Sequence, residues 1–139
     1  MDNTLFYEII TGRLSVIEKD FTSIRAYLFC NCSNLTTISF PNCASISENA
    51  FQACYNLSTI FFPECISIGT SAFVNCYNLT TISFPKCTTI GTSAFYNCSN
   101  LTTISFPSCV SIYSGGFYSC INLSEIEFSN CTSIYSSAF

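Results

Sequence analysis

The sequence contains no histidine, only four lysines and arginines together, and just two aspartates, Asp2 and Asp20. Each scarcity closes off a class of function. Without histidine the chain lacks the side chain most used for proton transfer near neutral pH. Three of the four cations (Arg13, Lys19 and Arg25) lie in the first 25 positions, and the net charge is −4. A phosphate backbone is held by clustered lysine and arginine, so no nucleic-acid partner is expected. No apolar run approaches the ~20 residues that cross a bilayer, so no membrane span is expected. The opening stretch MDNTLFYEIITGRLSVIEKD has neither a basic leader nor a small-residue cleavage site, and does not read as a signal peptide. The default setting is then a reducing cytoplasm, in which the eleven cysteines are mostly thiols.

What the chain has in abundance is regularity. From Cys32 a cysteine returns every eleven residues up to Cys131, and Cys30 alone is off that lattice. Alternate cysteines sit in different surroundings, C-x-N-L and C-x-x-I, so the unit is 22 residues long. It reads C-x-N-L-x-x-I-x-F-P-x-C-x-x-I-x-x-x-A-F-x-x, with four complete copies and a fifth ending at TSIYSSAF. A divergent unit precedes them. Shifting back by 22 places Val16 on Ile38, Ile24 on Ile46 and Phe29 on Phe51. No insertion or deletion breaks the register, which predicts one uninterrupted solenoid. Residues 1–30 form an N-terminal cap and divergent first coil, and residues 31–139 carry the repeats.

Within a unit, NLTTISF alternates like a strand. Leu79, Ile82 and Phe84 are expected to face in, Thr81 and Ser83 out, and Pro85 to end the ladder. CTTI reads as a second short strand. GTSAFYNC reads as a turn and one helical turn, capped by Ser93, with Ala94, Phe95 and Cys98 on one face. One coil buries too little apolar surface to fold alone, so backbone hydrogen bonds between coils about 4.8 Å apart have to complete it. Ahead of the coils, NTLFYEIITG reads as a capping helix, with Asn3 or Thr4 as N-cap, Leu5–Ile9 and Phe6–Ile10 as i,i+4 pairs and Gly12 as stop.

The stretch LTTISFPKCTTIGTSAFYNC, from Leu79 to Cys98, resembles the BspA-like leucine-rich repeats. The resemblance implies a right-handed leucine-rich-repeat coil with a parallel sheet on its concave side. It also implies a surface, adhesion or interaction role. The cysteine-rich FP-x-C style resembles repeat proteins of gut bacteria and their phages, which adds a virion-associated setting to the cytoplasmic one; surface display then needs another export route. Three features depart from the pattern. Gly69 and Gly91 become Ser47, Tyr113 and Tyr135 in other coils, Ser129 replaces the strand-ending proline, and SGGF (residues 114–117) loosens the fourth coil.

Stacking turns ten cysteines into two columns of five. Structural zinc wants paired ligands two to four residues apart, twice. Only Cys30 and Cys32 lie that close, so no metal or other cofactor is expected. The second column stands where the resemblance places valine, and free cysteine packs as a small buried hydrophobe. Disulfides stay open: stacked Cα atoms near 4.8 Å lie within bridging range, but five per column leave one over.

The outer faces hold the candidate functional residues. Thr37, Thr59, Thr81, Thr103 and Glu125 form one column of the concave face, and Ser39, Phe61, Ser83, Ser105 and Glu127 the next. Such a hydroxyl array is also the pattern of an ice-binding solenoid, but Phe61 and the two glutamates interrupt it. Tyr55, Tyr77, Tyr96 and Tyr118 flank the helical turn and are read as one ridge, with Tyr113 and Tyr135 as a second pair; stiff exposed tyrosines suit a protein or glycan partner. Glu125 and Glu127 are the only close pair of glutamates, and on an open strand they have no cleft to split their pKa values, so no catalytic residue is assigned. The last coil leaves Ile126, Phe128, Ile134 and Phe139 on an open face, a candidate surface for homo-oligomer formation about a two-fold axis. The expected function is a non-catalytic interaction or adhesion module, and the alternative a phage-encoded structural part that self-associates through its last coil.

Overall fold

A computed structural model describes Glu8, Val16–Glu18 and residues 20–139. The chain winds as a parallel-strand β-solenoid of about five turns. Each coil contributes a three-residue and a two-residue strand. The three-residue strands are β1 (Val16–Glu18), β3 (Thr37–Ser39), β5 (Thr59–Phe61), β7 (Thr81–Ser83), β9 (Thr103–Ser105) and β11 (Glu125–Glu127). The two-residue strands are β2 (Ser23–Ile24), β4 (Ser45–Ile46), β6 (Ser67–Ile68), β8 (Thr89–Ile90), β10 (Ser111–Ile112) and β12 (Ser133–Ile134). Ile38 lies beside Ile60, Ile82 beside Ile104, and Ile90 beside Ile112, one repeat apart as expected.

The expected alternation holds. Leu79, Ile82, Phe84, Cys87, Ile90, Ala94, Phe95 and Cys98 are all buried, while Thr81 and Ser83 are exposed. Two phenylalanine columns run through the core. Phe29, Phe51, Phe73, Phe95, Phe117 and Phe139 stack with centroids 5.1–5.6 Å apart. Phe40, Phe62, Phe84, Phe106 and Phe128 follow at 5.3–5.8 Å. The columns interlock edge-on, as Phe95 and Phe106 do at 66°, a geometry the ring quadrupole favours.

Several expectations need correcting. The segment after each second strand is not a helical turn. Ser93, Phe95 and Asn97 donate their amides to Ser114, Gly116 and Tyr118 of the next coil, while Ala94, Tyr96 and Cys98 donate three residues back. Alternate amides thus serve the neighbouring coil, and an α-helix needs all of them. Ser93 (φ 54°) and Asn97 (φ 60°) are left-handed, so Ser93 is no N-cap. The SGGF stretch does not loosen its coil. Gly115 (φ 69°) takes the left-handed place held by Ser71 and Ser93 in other coils, and a Cβ on Gly116 would come within 2.8 Å of Ile112. The coil keeps its inter-coil bonds, Phe95 to Gly116 at 2.8 Å and Gly115 to Ser136 at 3.2 Å.

The first unit does lose a residue. Ile17, not Val16, pairs with Ile38, while Ile24 stays on Ile46. Ile17 is accordingly buried and Val16 43% exposed. Phe21 packs edge-on against Phe29 and Phe40 in this shortened coil. The expected capping helix lies outside the described residues except for Glu8. The second sheet runs unbroken through β12-β10-β8-β6-β4-β2, but the first, implied to be continuous, is divided into β1-β3-β5 and β11-β9-β7.

Candidate functional site

Strand parity brings the outward side chains of the first sheet into two columns. The register sets Thr37 beside Thr59 and Ser39 beside Phe61, then Thr81, Thr103 and Glu125 in line and Ser83, Ser105 and Glu127 in line. The Phe61 side chain is 53% exposed on this hydroxyl face. At its far end the Thr103 hydroxyl donates to Glu125 at 3.3 Å and the Ser105 hydroxyl to Glu127 at 2.5 Å. Both carboxylates are exposed.

The tyrosines form stacked pairs one repeat apart. Tyr55–Tyr77 stack at 5.3 Å and 8°, Tyr96–Tyr118 at 5.6 Å and 14°, and Tyr113–Tyr135 at 4.9 Å and 3°. Among the described residues no ring contact joins the first pair to the second, so the four stand as two short platforms. All are exposed except Tyr77, which is half-buried. At the last coil Ile126, Ile134 and Phe139 are exposed, and Phe128 is half-buried against Phe106 and Phe117. Ile126 and Phe139, with Phe117, Cys120, Ile121 and Leu123, line a concavity of about 330 Å³.

The cysteines carry a role that packing alone did not disclose. In the first column the thiols of Cys54, Cys76, Cys98 and Cys120 donate to the carbonyls of Phe29, Phe51, Phe73 and Phe95 at 3.1–3.3 Å. Each donation crosses to the preceding coil. In the second column Cys43, Cys65, Cys87 and Cys109 donate to the carbonyl two residues ahead at 3.3–3.4 Å. Valine would fill the space of the second column, but only a thiol adds a donor. Removal from water pushes Cys32, Cys109 and Cys120 up to about 11 and Cys87 to about 12. Burial, and next the like-charged neighbours of the column, holds Cys54, Cys65, Cys76 and Cys98 far above the ordinary thiol value. Such thiols are poor nucleophiles, because the thiolate is the reactive form. Partial burial also raises Cys30. All eleven sulfurs are unbridged in this structure, and among the described residues no three potential metal ligands cluster. No described helix is long and apolar enough to cross a membrane.

Comparison with known proteins places these columns in a family. The model of the BspA type leucine rich repeat region matches six copies, over residues 1–112 and 44–139. A leucine rich cell surface protein of Faecalibacterium prausnitzii A2-165 superposes with a TM-score of 0.75 at 30% identity, over 82% of this chain and 31% of its own. A leucine-rich repeat protein of Bacteroides ovatus ATCC 8483 gives 0.64 at 26% identity, over 84% of this chain and 37% of its own. The Treponema pallidum leucine rich repeat protein gives 0.60 at 21% identity, over 86% of this chain and 72% of its own, a likeness of fold alone. The chain thus spans about a third of the first of these proteins. No curated protein sequence matches it.

Proposed function

Because the chain belongs to the BspA-type leucine-rich repeat family, we propose that it is a non-catalytic interaction module. Residues 1–30 serve as cap and divergent first coil, and residues 31–139 carry the binding surface. That surface is the outer face of the first sheet around Phe61, extended by the tyrosine pairs. The observation that supports this reading is Phe61 itself, an exposed ring set among threonine and serine columns. An aromatic anchor with a polar surround has the composition of a binding hot spot. The stacked tyrosines add stiff contact area at low entropic cost. The partner is a protein or a surface glycan, and adhesion is the finer form of the reading. The Faecalibacterium relative is described as a cell surface protein, and the same setting suits this chain. Affinity capture from a protein and glycan panel tests the proposal. Phe61→Ser and a Tyr113→Ser/Tyr135→Ser double variant leave the core intact, so they should lose the ligands that the unaltered chain retains. Capture unchanged in both variants refutes the surface.

The apolar concavity of the last coil favours a second reading, a structural part that self-associates there. A two-fold pairing of β11 edges brings Glu125 and Glu127 toward their own copies, which opposes it. Light scattering at micromolar concentration decides: a species larger than 15.3 kDa that Ile126→Glu returns to monomer supports this reading, and a monomer throughout refutes it.

A further inference from the structure

The first sheet stops between β5 and β7 although the coils on either side remain stacked. From β3 to β5, from β7 to β9 and from β9 to β11 the ladder is complete. Phe40, Phe84 and Phe106 donate their amides to Phe61, Ser105 and Glu127, and Thr59, Thr103 and Glu125 donate to Thr36, Thr80 and Thr102. At this step, among the described residues, the equivalent amides of Phe62 and Thr81 have no such partner. Strand parity points the amides of Ile60 and Ser83 into the same gap. Elsewhere around the same two coils the bonds persist: Gly91 donates to Ile68 and Phe73 to Ala94, both at 2.8 Å.

Three further departures centre on β5. Ile60 is half-buried, whereas Ile38, Ile82 and Ile104 are sealed. The Phe40 and Phe62 rings tilt at 48°, while later pairs of that column stack within 15°. Phe61 stands where β3, β7 and β9 end in serine. Within β5, a ring in place of a small hydroxyl is the one change in side-chain type from β3, β7 and β9.

We infer that the solenoid is jointed at this step. The coils before and after the gap open along the first sheet and pivot on the unbroken second sheet, and Phe61 holds the gap open. Backbone donors and acceptors without protein partners bond to water, so the gap is lined with solvent and opens without breaking a ladder. The joint is independent of any binding role. If the face around Phe61 does bind, the same joint adjusts its curvature, a clause that rests on the proposed function.

Residue-resolved hydrogen exchange on the full chain tests the joint without a ligand. The amides of Ile60, Phe62, Thr81 and Ser83 should exchange at least ~100-fold faster than those of Ile82, Phe84, Thr103 and Ser105, one repeat on, because exchange reports local opening. Phe61→Ser, which restores the residue of the other coils, should bring the four to within about tenfold of their counterparts. Equal protection of the two sets in the unaltered chain overturns the joint. Fast exchange that persists in Phe61→Ser overturns the part assigned to Phe61.

Discussion

Alkaline pH should unfold this protein through its cysteines. The thiols of Cys54, Cys76 and Cys98 lie in the core and donate to the carbonyls of Phe29, Phe51 and Phe73. Ionisation removes the donated proton and sets a negative sulfur against a carbonyl oxygen, away from water. Desolvation, then neighbouring thiols, raises all three well above the usual range. In the unfolded chain the same thiols ionise near 8.5 to 9. The folded state therefore keeps protons that the unfolded state releases, and stability must fall as pH rises. It is fully present below about pH 8. At pH 10 each of these thiols has removed roughly 1–2 kcal/mol, and at pH 11 roughly 3 kcal/mol. Three together remove about 3–6 and then about 9 kcal/mol, against a total stability of about 5–15 kcal/mol for a domain of this size. Denaturant titrations followed by circular dichroism, under reductant, at pH 7, 9, 10 and 11 should show this loss. Stability unchanged between pH 8 and pH 10.5 would refute the reasoning, because it would mean that these thiols are ionised or solvated in the fold.

Four other substitutions probe separate parts of the packing. Phe73→Ala interrupts a column in which the ring stacks at 5.1 and 5.2 Å on its two neighbours; urea denaturation should show a loss of about 3–5 kcal/mol. Ala53 is held at φ 58°, so Ala53→Gly should stabilise by about 0.5–1 kcal/mol, read as a higher melting temperature, because left-handed strain outweighs glycine's added entropy. Cys87→Val should be tolerated within about 1.5 kcal/mol, since its thiol serves a carbonyl only two residues away. Cys98→Val removes an inter-coil donor and should cost about 1–3 kcal/mol by denaturant titration.

Much of this architecture was legible because a solenoid repeats its core positions in register. A 22-residue period in leucine, isoleucine, phenylalanine and cysteine prescribes which side chains meet, and the pairs Ile82–Ile104 and Phe73–Phe95 follow from it. What stayed hidden depends on where backbone hydrogen bonds go. GTSAFYNC reads as a turn and one helical turn from a capping serine and the shared face of Ala94, Phe95 and Cys98, yet its alternate amides are claimed by the next coil, and local sequence does not record that competition. The shift at Ile17 was concealed because Val16 and Ile17 are both β-branched and either could face inward. Of the candidate site, the hydroxyl columns and the position of Phe61 were readable from strand parity. The division of the sheet beside Phe61 was not, since it arises from how one coil sits on the next. The inter-coil thiol bonds were likewise invisible to composition, which records a cysteine but not the carbonyl above it.

The most direct test of the account is the contact between like residues one repeat apart. With ring-selective labelling of phenylalanine, nuclear Overhauser contacts should link Phe73 to both Phe51 and Phe95, whose centroids lie 5.1 and 5.2 Å away. Contacts confined to residues near Phe73 in sequence, with none at a separation of 22, would contradict the stacked coils from which every column and surface here is built.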